Sequence, residues 1–220
     1  MQNPRQNSRL ICLIGSDGVG KSTLVQHIID FREAEGVRAK RVWFRYPFLF
    51  SIPILVYCRM SGLSYYQEHD GVRFGRWEFW RSRWVPQVFP WLQLIDTAIY
   101  LYLFVRLPLW LGRDLICDRF IHDVLVDIMA GISDHQLYIK RVGQLFIRLV
   151  PDVADVVCID ATWDVIRRRR PDLIHDATWQ VRRDLYHSLS KELEIPIVDN
   201  SRSVVLTQIE LRKLLGSTNL

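Results

Sequence analysis

Residues Gly15-Ser16-Asp17-Gly18-Val19-Gly20-Lys21-Ser22-Thr23 carry the spacing G-x-x-x-x-G-K-[ST], and the reading of this stretch decides the fold. Glycines let the backbone curl so that successive N–H groups converge on phosphate oxygens. The helix that follows adds the positive end of its dipole at the same point. In that geometry Gly15, Gly18 and Gly20 shape a cradle, and Lys21 reaches the β- and γ-phosphates. The hydroxyl of Ser22, followed by Thr23, faces a Mg²⁺ ion. The pattern acquires meaning from its surroundings. Leu10-Ile11-Cys12-Leu13-Ile14 before it is an apolar run bounded by polar residues, which reads as a buried parallel strand. Leu24-Val25-Gln26-His27-Ile28-Ile29 after it is apolar at helical spacing. Strand, loop and helix occur in the order a phosphate site needs, which a bare glycine turn would not require.

The rest of the chain bounds this reading. Its 220 residues, 49% hydrophobic and 24% charged, suit a single domain over 1–220. A net charge of +5 favours anionic small ligands. The arginines are scattered rather than striped between aromatics, which argues against a nucleic-acid partner. Cys12, Cys58, Cys117 and Cys158 lack metal-ligand spacing; three of them sit inside apolar strand-like runs and read as reduced buried thiols, which fits a cytoplasmic protein. The first nine residues are polar, unlike a signal peptide. Pro47–Cys58 and Val85–Leu111 are unusually apolar, yet Asp96, Thr97, Arg106 and the prolines at 86, 90 and 108 interrupt the second. Neither forms an unbroken span of about 18–20 residues. The expected outcome is a buried helix or a dimer interface, with membrane-surface contact as the lesser alternative.

Along the chain, a helix is expected from Lys21 to about Glu35, and a second strand from Arg38 to Tyr46 ended by Pro47. Pro47–Met60 reads as a helix broken near Pro53. Ser61–Gly75, polar and glycine-containing, reads as a mobile loop. Trp77, Trp80 and Trp84 would share one face of a helix over 76–84. Pro90–Arg106 reads as a long helix, Asp114–Cys117 as a short buried strand, and 124–130 and 135–149 as helices. Val153–Ile159 follows as a strand, then helices at 162–169 and 177–194, a strand at 195–198 and a helix at 204–215. Strands alternating with helices predict an α/β P-loop fold, a five-stranded parallel sheet with helices on both faces and ligands at the strands' carboxyl ends.

Those ends carry charge. Asp118, after a buried strand, would face Mg²⁺ and phosphates, and Arg119 can clamp a phosphate in bidentate fashion. The run Arg167-Arg168-Arg169-Arg170 stops at Pro171; an arginine-rich lid near 167–176 could close over a transferring phosphoryl group, with Arg167 and Arg170 as its catalytic members. Asp160 and Asp199 read as capping and turn residues.

Together, the phosphate loop, Cys117-Asp118-Arg119-Phe120, Pro151-Asp152 leading to Ile159-Asp160, Asp164 to Arg167 and Ile197-Val198-Asp199 resemble the thymidylate kinase family of nucleoside monophosphate kinases, from end to end and in order. The resemblance implies ATP with Mg²⁺, transfer of a phosphoryl group, and often a homodimer. It implies that Asp17 helps position the acceptor and that lid arginines supply charge the loop lacks. The acceptor side departs from the family. Arg45-Tyr46-Pro47-Phe48 keeps only the proline of a glutamate-proline-glycine segment. Asp96 precedes Thr97 where the family has an Asp-Arg pair. Ile121-His122-Asp123-Val124-Leu125-Val126-Asp127 replaces a segment that reads thymine. Exchanging hydroxyls and an amide for His and two carboxylates leaves polar groups unpaired around that base, at about 1–3 kcal/mol each. The expected acceptor pocket is shaped by Asp17, Arg45, Asp96, His122, Asp123 and Asp127, next to the apolar and aromatic region 47–111. It would take a nucleoside monophosphate or related phosphate. A sugar or lipid-linked acceptor, thymidylate itself with compensating residues, and a slow ATP-binding switch are the rivals.

Overall fold

The computed structural model describes residues 8–45, 48–69 and 71–216. Its centre is β1 (Leu10–Ile14), whose five residues are all buried. Parallel pairing places it between β5 (Asp114–Asp118) and β6 (Ala154–Asp160). β2 (Ala39–Trp43) extends the sheet beyond β5, and β7 (Ile197–Asp199) beyond β6. The order β2-β5-β1-β6-β7 is the predicted five-stranded parallel sheet. Side-chain alternation along β1 builds two apolar layers. Leu10, Cys12 and Ile14 join the core under α3 (Val85–Leu101), α5 (Ile121–Ile132), α6 (Arg141–Leu149) and α8 (Trp179–Glu192). Ile11 and Leu13 face α1 (Lys21–Ala34), α7 (Trp163–Arg169) and α9 (Val204–Gly216).

Between β2 and β5 the chain departs from expectation. Residues 61–75 are not a loop: β3 (Ser64–His69) and β4 (Val72–Trp77) pair antiparallel, with His69 opposite Val72. Trp77 therefore ends a strand, Trp80 sits in a 3₁₀ turn (Phe79–Arg81), and Trp84 caps α3. The three tryptophans share no helical face. Helix α2 (Ile52–Met60) takes Pro53 into its first turn, where the missing N–H costs nothing, instead of breaking there. Tyr46 and Pro47, where β2 was expected to end, lie outside the described residues.

The apolar stretch 85–111 forms one nearly continuous rod. Helix α3 passes into a π-helical turn (Tyr102–Arg106) and then α4 (Leu107–Trp110). It is not fully buried. Val85, Phe89, Gln93, Asp96, Thr97, Leu101 and Val105 face the protein, while Trp84, Val88, Trp91, Ile95, Ile99 and Tyr102 face outward.

Candidate active site

The phosphate loop leaves β1 at the carboxyl edge of the sheet. Gly15 has φ 135°, and a Cβ there would lie 2.2 Å from the Ile159 carbonyl oxygen. Gly20 has φ 94° and closes the loop onto α1. These positions accept only glycine, for conformation and for room. Lys21, buried, donates from Nζ to the carbonyls of Gly15 and Ser16, both at 2.6 Å. Burial, reinforced by Arg119, pulls its pKa down to about 8. The Ser16 hydroxyl, buried within the cradle, has no hydrogen-bond partner among the described residues. A cradle only glycine can form, an ammonium folded over it and an unpartnered buried hydroxyl fit a polyphosphate.

Ser22 donates its hydroxyl to Asp118 Oδ2 at 2.7 Å, and Arg41 of β2 pairs with the same oxygen. A hydroxyl and a carboxylate side by side are hard oxygen donors. Among the described residues no three His, Cys, Asp or Glu side chains gather as a metal cage. This pairing fits Mg²⁺, which keeps waters and takes phosphate oxygens, better than a structural metal.

Arg119 is the hub of the next shell. Its φ of 74° is unusual for a non-glycine residue and marks a constrained backbone. Its N–H is donated to Leu13 O at 3.0 Å, and its guanidinium pairs with Asp17 and reaches Asp123 at 3.4 Å. Burial alone would raise the Asp17 pKa, but Arg119, Lys21, Arg182 and Arg45 together hold it well below the usual carboxylate range. Asp123 is buried and accepts from Tyr186 Oη at 2.7 Å and from the Phe120 N–H at 2.8 Å. Burial pushes Asp123 upward, with Arg119 and Lys21 opposing.

Asp17 opens on a cavity of about 730 Å³. Arg45, Arg73, Asp127, Arg170, Asp176 and Arg182 join Asp17 in the charged lining, and Trp43, Phe48, Tyr66, Phe74 and Trp77 form the aromatic lining. The β3–β4 hairpin roofs it. Arg76 of β4 lies 3.7 Å from Asp176, and His69 stacks on His175 at 4.8 Å, so the hairpin rests on the segment after α7. Gly131 on α5 leaves room for the Trp77 ring, which a Cβ there would meet at 3.1 Å.

Several residues singled out in the sequence lie elsewhere. His122 is buried in the core outside the cavity lining; burial drops its pKa to about 4, and its Nδ1 has no partner among the described residues. Asp96 also lies outside the lining. It accepts the backbone N–H groups of Leu49 at 3.0 Å, Phe50 at 2.7 Å and Ser51 at 2.9 Å, fixing the entry to α2. Asp123 positions Arg119 instead of lining the cavity. Of the arginine run, Arg167 is exposed on α7, while Arg170 lines the cavity and pairs with Asp172. Arg169, not singled out, reaches the loop by donating to Val19 O at 3.3 Å and Asn200 O at 3.0 Å. Asn200 donates to Val19 O at 2.7 Å, and Trp179 Nε1 to Asp17 O at 3.0 Å. Asp160 is engaged by Arg183 and His187.

A thymidylate kinase from Ehrlichia chaffeensis has a similar structure, with a TM-score of 0.57 over 95% of this chain and 99% of that one, at 15% identity. The fold is thymidylate kinase-like. No family model and no curated protein matches the sequence. In this kinase-like fold the phosphate loop stands at the sheet's switch point, between β5 and β6, where open α/β sheets bind ligands.

Proposed function

We propose that the chain is an ATP-dependent kinase that moves the γ-phosphoryl group to a small acceptor held in the Asp17 cavity, a nucleoside monophosphate or related phosphate. The observation that carries this reading is the adjacency of the two half-sites: Asp17 belongs to the phosphate loop and also lines the cavity. The neighbouring thymidylate kinase supports the same reading. Lys21 and the loop amides would bind the donor phosphates, and Ser22 with Asp118 would hold Mg²⁺, which would neutralise phosphate charge when bound. Arg119 is held by Asp17 and Asp123 beside the loop, preorganised to face charge that develops on the transferred group. Arg170 would approach from the other side once its pairing with Asp172 is exchanged for phosphate. Asp17, kept ionised by its basic neighbours, can orient an acceptor hydroxyl or ammonium but is too weak a base to take its proton at neutral pH. Four buried free cysteines fit a reducing, cytoplasmic setting.

Acceptor-dependent ADP release, measured over a panel of nucleoside monophosphates with Mg²⁺, tests the proposal. Stimulation by one of them, lost in Asp17→Asn, is expected. Fast turnover of dTMP would name the acceptor despite the altered residues. ATP hydrolysis that no acceptor stimulates would point to a nucleotide-binding switch instead.

A further inference from the structure

The outward face of α2 and α3 is the largest feature the catalytic reading leaves unused. The two helices run side by side in opposite directions. The turn entering α2 is held by Asp96, midway along α3, and Tyr57 near the end of α2 meets Trp84 at the start of α3 with ring centroids 4.9 Å apart. On α3 the exposed residues recur at intervals of four, three, four, four and three, a single stripe from Trp84 to Tyr102. On α2, Ile52, Val56 and Met60 are 47%, 51% and 84% exposed. The rod from Val85 to Trp110 holds an 18-residue window with a mean hydropathy of 1.5 and is long and apolar enough to cross a bilayer. Its opposite face, however, is packed against α5 and α6. It can lie on an apolar phase but not leave the sheet to span one.

Charge identifies the occupant. Residues 48–60 and 79–113, which carry α2 and α3, hold five of the 29 basic residues and one of the 24 acidic ones. The single acid, Asp96, is buried and occupied by backbone N–H groups. Glu78, at the border, is bound by Arg81 and Tyr65. Arg59, Arg83 and Arg113 are exposed around the stripe. A second copy related by a two-fold axis would bring the same arginines toward one another and offer no exposed carboxylate from these segments. An anionic bilayer offers phosphate and carboxylate groups at the level of the arginines and acyl chains below them. Trp84 and Trp91 lie in the stripe, Trp80 and Trp110 are exposed just before α3 and at the end of α4, and tryptophan concentrates at bilayer interfaces. We infer that the α2–α3 face docks the protein on an anionic membrane surface, with the helices lying in the interface.

Co-sedimentation with phosphatidylcholine vesicles, with and without phosphatidylserine, tests this on the full chain without nucleotide, so the result is independent of the kinase reading. The chain is expected to pellet with the anionic vesicles and to show a blue shift of tryptophan emission. Trp91→Glu with Ile95→Glu should abolish pelleting, and Arg59→Glu with Arg83→Glu should weaken it by about tenfold or more, with circular dichroism confirming the fold of each. Full recovery in the supernatant overturns the inference, as does unchanged pelleting of both variants. A particle of twice the 26.0 kDa chain mass in light scattering, converted to monomer by Trp91→Glu and not recruited by vesicles, would assign the face to a second copy and overturn it as well.

Discussion

Lys21 is shielded from water and covered by two carbonyls of its own loop. Its pKa of about 8 in the fold lies below the ordinary 10.5, so the unfolded chain holds that proton more tightly. The lysine therefore costs stability at neutral pH, on the order of 3 kcal/mol at most, and the cost fades as pH rises from about 8 to 10.5. Lys21→Met should melt higher than the parent at pH 7, with the difference shrinking through that window in thermal denaturation. The same substitution should cut turnover by about 10²–10³-fold, because no cation then meets the phosphates. His122 follows the same rule in a more acidic window. Its pKa of about 4 lies below the ordinary 6.5, so stability falls as pH falls from 6.5 to 4, again by on the order of 3 kcal/mol. In His122→Phe, urea denaturation over that range should lose most of this slope.

At the scale of elements, the hairpin separates this molecule from what its sequence suggests. Residues 61–75 are polar and hold three glycines, which reads as a loop. The signal that could have found the strands was Asp70-Gly71, a dipeptide that favours two-residue hairpin turns, set between Tyr65-Tyr66 and Val72-Arg73-Phe74. The parallel sheet was legible because its strands are short apolar runs with turn signals at both ends. The phosphate loop was legible because its glycines are imposed by φ and by close backbone approach. The acceptor side was less so. A carboxylate that binds three backbone amides, as Asp96 does, and one that faces a cavity, as Asp127 does, look alike in sequence. Nothing in a run of four arginines says which of them turns toward the loop. Replacing residues 64–77 by a short glycine-serine linker should raise KM for the acceptor by tenfold or more (about 1.4 kcal/mol) while leaving ATP-analogue affinity near that of the parent. Titration calorimetry for the analogue and steady-state kinetics for the acceptor would separate the two effects.

The whole molecule couples the site to global stability. A non-hydrolysable ATP analogue at about 100 times its Kd should stabilise the fold by about 2.7 kcal/mol, since it binds only the folded loop. Asn200→Ala removes the donor to Val19 O and should weaken the analogue about fivefold, the equivalent of one net hydrogen bond. Calorimetric melting curves with and without the analogue would register both.

The phosphate loop is written within the first 23 residues, yet its shape is held by Arg169, Trp179 and Asn200. A chain emerging from the ribosome thus carries its nucleotide signature long before it can use it. Only when β7 and the residue after it arrive does the loop acquire its last brace. Trimming the carboxyl end back past Asn200 would take this brace and the α9 packing on β1 together, so nucleotide affinity and core stability would fall in step.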